Sequence, residues 1–215
     1  MTRLVLASAS PARLQVLTAA GIDPVVIVSG VDEPAVEAAH TAAGPATVVR
    51  ELAVAKASAV LDRVIAEYPD SVVIGCDSML LLDGTLRGKP ADAADARTQW
   101  AQMSGREGDL LTGHAVIRVV DGVAGRPAAD VERTVIRFGT PTPDEVEAYL
   151  ATGEPLAVAG SLTIDGYGGW FVDGVDGDPS SVIGISLPLT RRLLSTVGIS
   201  VTDLWRSGQE EEERA

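Results

Sequence analysis

One carboxylate closes an apolar run: Val72-Val73-Ile74 passes into Gly75-Cys76-Asp77-Ser78. Three β-branched residues in a row read as a strand buried on both faces. In open α/β folds, ligands gather just past the carboxyl ends of such strands. An unpaired carboxylate is costly to bury there, so Asp77 needs a partner, either structural or functional. Elsewhere the chain offers Ser8, Ser10 and Arg13, the pair Asp32-Glu33, Lys56, Lys89 and Asp165. Carboxylate, lysine, arginine and hydroxyl groups suit a hard divalent cation such as Mg²⁺ or Mn²⁺ together with phosphate oxygens.

Other chemistries find no motif here, and nothing in the sequence supports a Ser-His or Cys-His nucleophile pair, though its residues are present. Gly84-x-x-x-Gly88-Lys89-Pro90 is one residue short of a P-loop and has Pro where the metal-binding hydroxyl belongs. No G-x-G-x-x-G follows a strand, and no G-x-S-x-G nucleophile elbow occurs. His40, His114 and Cys76 are too scattered to suggest a zinc site. Cys76 reads as a small buried hydrophobe.

Each remaining candidate has a plainer alternative. Ser10 is a good helix cap with Pro11 at the first helical position, which leaves Arg13 free to face solvent. Asp32-Glu33 could be a solvated loop, Lys89 a surface loop residue, and Lys56 an exposed position in mid-helix. Asp165-Gly166 is a common turn pair.

The elements that must position these groups follow from the pattern. Residues 4–7 form a short buried strand leading into the Ser10-Pro11 helix, which Gly21 terminates. Residues 24–28 form a second strand, residues 35–45 an irregular loop, and residues 47–68 one long helix. After the strand at 72–74, a short run at 79–82 precedes the Asp83-Gly84 turn. Asp92 caps a helix reaching Met103. Residues 110–120 and 131–138 make a hairpin across Asp121-Gly122 and Gly125-Arg126-Pro127. Thr142-Pro143-Asp144-Glu145 is a capping box. Residues 170–175 and 181–185 read as strands, and 188–197 as the last helix. Around Trp170-Phe171-Val172 a core position is expected, with a homodimer contact as the alternative.

Composition narrows the class. One domain over residues 1–206 is expected, followed by an acidic, disordered tail at 207–215 with four consecutive glutamates. The net charge of −13 argues against affinity for a nucleic-acid polymer, which needs a basic face. No apolar run reaches the roughly 18 residues of a membrane span. Residues 1–3 lead straight into a strand without a signal-peptide h-region, so a cytoplasmic location is expected. Of 17 basic residues only Lys56 and Lys89 are lysine, which suggests they are kept where a compact point charge is wanted.

The order of these pieces resembles the Maf family. It runs from Ser8-x-Ser10-Pro11-x-Arg13 through Asp32-Glu33, Ala53-x-Ala55-Lys56-Ala57, Gly75-Cys76-Asp77-Ser78 and Gly88-Lys89-Pro90 to Met103-Ser104-Gly105-Arg106. It continues through Tyr149-x-x-x-Gly153-Glu154-Pro155, Ala159-Gly160-Ser161, Asp165-Gly166-x-Gly168 and the stretch from Val182 to Leu189. The resemblance implies an α/β fold: a mixed twisted sheet flanked by helices, with two lobes around a central cleft, similar to inosine triphosphate pyrophosphatases. It implies hydrolysis of the α–β phosphoanhydride of nucleoside triphosphates to the monophosphate and pyrophosphate with a divalent metal. It also implies a role in clearing modified or excess nucleotides, a link to cell-division arrest, and a homodimer.

By the same resemblance, Asp77 is the general base and Glu33 helps it bind metal. Ser8, Arg13, Lys56, Ser78 and Lys89 hold the phosphates, and Asp165 faces the base. Four positions depart from the family pattern: Ala12 replaces a second arginine, Ser78 a common Thr, Gly108 a common His and Val158 a common Lys. Asp165 is shorter than the Gln of members selective for dTTP and UTP, and than the Glu of those selective for 7-methyl-GTP, so base preference stays open. The competing reading is a non-enzymatic nucleotide-binding regulator of division.

Overall fold

The computed structural model describes residues 2–205; the acidic segment at 207–215 lies outside them. In chain order the elements are β1 (Arg3–Leu6), α1 (Pro11–Ala19), β2 (Val25–Val26), α2 (Glu33–His40), α3 (Pro45–Ala59) and α4 (Leu61–Glu67). There follow β3 (Ser71–Leu82), β4 (Thr85–Arg87), α5 (Ala93–Met103), β5 (Glu107–Val120), β6 (Val123–Ala124) and β7 (Ala128–Phe138). The last are α6 (Pro143–Ala151), β8 (Val172–Asp176), α7 (Pro179–Ile183) and α8 (Leu187–Thr196). All eight strands join one mixed sheet in the order β2-β1-β3-β5-β7-β8, with β4 on β3 and β6 on β5. No helix among the described residues is long and apolar enough to cross a membrane.

β1 runs parallel to β2 and β3, while β3, β5, β7 and β8 are successively antiparallel. Side chains alternate between faces along each strand. On one face Leu4, Leu6, Val72, Ile74, Cys76 and Val116 pack against α1 and α8. On the other, Val5, Ala7, Val73, Ala115 and Ile117 pack against Ala53 and Ala57 of α3. The distal halves of β3 and β5 carry a further core in which Trp100 meets Phe138, Tyr149 and Phe171 edge-on.

The expected caps are present. Ser10, Asp92 and Thr142 each accept a backbone N–H at the start of α1, α5 and α6, and Thr142 closes a full capping box with Glu145. Five expectations need correction. β3 is one continuous strand, so Asp77 lies inside it and not past its end. Residues 35–45 are not irregular: α2 begins at an Asp32 cap with Pro34 in its first turn, and a 3-10 turn follows at Thr41–Ala43. The long helix is two, interrupted at Val60, which places Lys56 in the last turn of α3. Residues 179–183 are helical, because Asp178 caps them and Pro179 takes the first helical position. Trp170 lies in a 3-10 turn and is 87 % exposed, whereas its neighbour Phe171 joins the core.

Candidate active site

The site grows from a gap in the sheet. On one side of β3 the partner β1 pairs only as far as Leu6 with Ile74, and the Ala7 N–H then donates to the Ile74 carbonyl at 2.8 Å. On that same side β4 begins pairing only at Leu80. Neither strand covers the stretch from Gly75 to Met79, although β5 pairs it throughout on the other side. Asp77 therefore lies beyond the carboxyl end of β1, where the strand-end rule applies even though β3 itself continues.

Asp77 and Ser78 are consecutive and point to opposite faces. On the α3 face, Lys56 Nζ lies 2.6 Å from Asp77 Oδ1 and 2.8 Å from Glu33 Oε1. Lys56 and Asp77 are both buried, at 7 % and 6 % exposure, while Glu33 is open to solvent. Lys56 can reach Asp77 because α3 lies unusually close to the sheet. A Cβ on Gly75 would fall 2.3 Å from the Ala53 carbonyl oxygen, and one on Gly113, opposite Asp77, would fall 2.0 Å from that of Val49. Only glycine leaves room for backbone at that range.

On the other face Arg13 spans three elements. Its Nε donates to the Gly184 carbonyl at 2.8 Å, one terminal nitrogen to Ser8 Oγ at 3.2 Å and the other to Ser78 Oγ at 3.2 Å. Ser8 Oγ also accepts the Ser10 N–H, which shapes the turn entering α1. Ser78 Oγ meets Thr112 Oγ1 at 3.1 Å, and Thr112 Oγ1 donates in turn to the Ser181 carbonyl.

Burial pushes the Asp77 carboxyl above the ordinary aspartate range; Lys56 and Arg13 pull it back and Glu33 adds to the rise. Glu37, one turn after Glu33, is also raised, by partial burial first and then by the charges of Asp77 and Glu33. Six of the residues singled out in the sequence thus converge: Ser8, Arg13, Glu33, Lys56, Asp77 and Ser78. Two do not join them. Lys89 is exposed after β4, and Asp165 is exposed in a turn; neither side chain forms a hydrogen bond or ion pair among the described residues. The Asp165 turn is held by Glu154, which accepts from the Thr163 hydroxyl and from the N–H groups of Tyr167 and Gly168, both at 3.0 Å.

Glu37, Thr112 and the Gly184 carbonyl escape the sequence reading. Glu37 falls four residues after Glu33, a spacing that places both on one helix face once the helix is recognised. Thr112 carries no charge and belongs to no motif, and only its pairing with Ser78 marks it; Gly184 lies in the motif stretch from Val182 to Leu189, but nothing in the sequence assigns its carbonyl a role.

As a donor set, Glu33 and Asp77 direct oxygens at a common point, now met by the Lys56 ammonium. No group of three or more His, Cys, Asp or Glu among the described residues is placed to hold a metal. Two carboxylates completed by phosphate and water match the habit of Mg²⁺.

A model of the Maf-like protein family matches residues 3–197. Proteins named nucleoside triphosphate pyrophosphatase are similar over nearly their whole length. That of Nocardia farcinica (strain IFM 10152) is 61% identical over 204 residues, 94% of this chain and 96% of its own. That of Mycobacterium sp. (strain JLS) is 59% identical over 206 residues, 95% of this chain and 98% of its own. That of Rhodococcus jostii (strain RHA1) is 58% identical over 209 residues, 96% and 98% respectively. With six of its motif residues gathered around one sheet gap and a match spanning almost its full length, the chain belongs to the Maf family.

Proposed function

We propose that this chain is a nucleoside triphosphate pyrophosphatase, a hydrolase that splits the α–β phosphoanhydride into a nucleoside monophosphate and pyrophosphate. The observation that carries the site assignment is the Lys56 ammonium bridging Glu33 and Asp77 beside the uncovered edge of β3. Phosphoanhydride cleavage needs charge neutralised on the phosphates and one oriented water. Asp77 takes the proton of that water as its oxygen bonds to phosphorus, and the bridging oxygen leaves with the departing phosphate group. Arg13, held at Nε by Gly184 and braced by Ser8 and Ser78, presents its remaining N–H groups to phosphate oxygens. Lys56 lies between base and phosphates, and Lys89 in its exposed loop adds a second ammonium. Asp165 meets the nucleobase.

Glu33 and Asp77 would hold a Mg²⁺ or Mn²⁺ ion, which when bound neutralises phosphate charge and favours ionised carboxylates. Activity lost in chelator and restored by either ion supports this; full activity in chelator refutes it. A nucleotide-pool enzyme of this kind acts in the cytoplasm and takes no nucleic-acid polymer, in keeping with the −13 net charge. A homodimer would find an exposed aromatic contact at Trp170.

The test is colorimetric phosphate release over UTP, dTTP, CTP, 5-methyl-UTP and 7-methyl-GTP, with and without added inorganic pyrophosphatase. Phosphate only with the helper enzyme is expected. Phosphate without it means a phosphatase, and tight binding without turnover at any divalent metal means a nucleotide-binding regulator.

A further inference from the structure

His114 is fully buried on β5, on the Ser78 face of the sheet, and takes no part in the chemistry above. Both its ring nitrogens are used. Nε2 faces the Ser186 N–H at 2.8 Å, and Nδ1 faces the Thr112 carbonyl at 3.0 Å. A backbone N–H can only donate and a carbonyl can only accept, which fixes the tautomer: Nε2 accepts and Nδ1–H donates. A protonated ring would set two donors against each other at Ser186, and burial, aided by Arg13, drives the ring pKa down to about 4.

Each of these bonds leads to a different end of the Arg13 side chain. Ser186 lies two residues after Gly184, whose carbonyl holds Arg13 Nε. Gly184 has φ 130, and its carbonyl direction depends on how the turn between α7 and α8 is pinned. On the other side, Thr112 Oγ1 bonds Ser78 Oγ, which accepts from the Arg13 terminal nitrogen. We propose that neutral His114 is a positioning residue that holds the Arg13 guanidinium in its phosphate-binding pose, through Ser186 and Gly184 at one end and Thr112 and Ser78 at the other. This rests on the reading of Arg13 as a phosphate-binding group.

The experiment is a double-mutant cycle. His114→Leu and His114→Gln are made alone and with Arg13→Ala, and kcat and KM are measured for whichever triphosphate of the panel wild type turns over fastest. His114→Leu removes both bonds and is expected to raise KM about tenfold with a smaller change in kcat, since a misplaced contact about 1 Å from its proper position can cost up to ~100-fold. His114→Gln keeps an acceptor for Ser186 and should recover most of that loss. In the Arg13→Ala background the His114 substitutions should add almost nothing. An equal cost in both backgrounds, or a Gln variant no better than Leu, overturns the proposal. If circular dichroism shows the Leu variant unfolded, the Gln variant decides: any KM rise must vanish with Arg13→Ala, and a rise of equal size in both backgrounds overturns it. Wild type that releases no pyrophosphate from any triphosphate overturns the functional reading instead.

Discussion

Replacing Gly75 by alanine puts a methyl group where α3 already stands. The new Cβ would lie 2.3 Å from the Ala53 carbonyl oxygen, 2.8 Å from the Ala57 nitrogen and 3.0 Å from the Ala57 Cβ. None of these is the movable end of a long side chain, so α3 itself must retreat, by about 1 Å to regain ordinary contact. Lys56 rides on the same turn of that helix, and its 2.6 Å bond to Asp77 would stretch beyond hydrogen-bonding range. Two effects follow. Overpacking should cost about 1–3 kcal/mol, a fall in Tm of roughly 3–10 °C for a chain of this size. Misplacing the ammonium by about 1 Å should lower kcat/KM by up to ~100-fold. Differential scanning calorimetry and steady-state pyrophosphate release measure the two separately. A Gly75→Ala protein with wild-type Tm and wild-type kcat/KM would refute the close helix–strand approach as the device that brings Lys56 to Asp77.

Three further outcomes are expected. Asp77→Asn keeps the shape but cannot take a proton, so turnover should fall by about 10²–10⁴-fold with an unchanged circular dichroism spectrum; activity within a few-fold of wild type rejects Asp77 as the base. Lys56→Met leaves a buried carboxylate uncompensated and should cost about 3–5 kcal/mol in urea denaturation without metal; a loss below about 1 kcal/mol means the pair is not buried as described. For His114, the folded pKa of about 4 lies below the ordinary 6.5, with the Thr112 carbonyl, Asp178 and Asp130 opposing burial and Arg13. The unfolded chain therefore binds the proton more readily. Stability from this group is complete above pH 6.5 and is lost as pH falls toward 4, about 2 kcal/mol between pH 7 and pH 5. Urea curves at the two pH values should show that loss in wild type beyond what His114→Gln shows, and identical slopes contradict it.

Local signals are legible where one residue satisfies one backbone need. Ser10, Asp92 and Thr142 reveal their helices because a cap is a short-range bond. α2 escapes because none of its residues is fully buried and only Val36 packs against a core, which leaves a weak apolar signal. Residues 179–183 mislead for the opposite reason: Val182 and Ile183 favour strands, but the Asp178 cap and Pro179 outweigh two β-branched side chains in a five-residue helix. At Val60 nothing in the local sequence marks the break. Gly75 suggests a strand end, yet the strand runs on for seven residues, and the glycine answers to a helix 20 positions earlier in the chain.

The candidate site depends on this non-local kind of information. Taken singly, Lys56 reads as an exposed helix residue, whereas it is nearly buried because Gly75 and Gly113 let its helix down onto the sheet. Consecutive Asp77 and Ser78 cannot serve the same face of a strand, so the Asp77 carboxylate and the neutral Ser78 hydroxyl meet cations from opposite sides. Lys56 comes from α3 on one side and Arg13 from α1 on the other. These two cations can meet only where no neighbouring strand intervenes, and β1 and β4 leave that interval open from Gly75 to Met79. A polyphosphate lying along the gap would touch charges from both layers at once. The basic residues and the carboxylates must therefore come from segments far apart in sequence, which explains why the order of motifs, and no single motif, pointed to this candidate site.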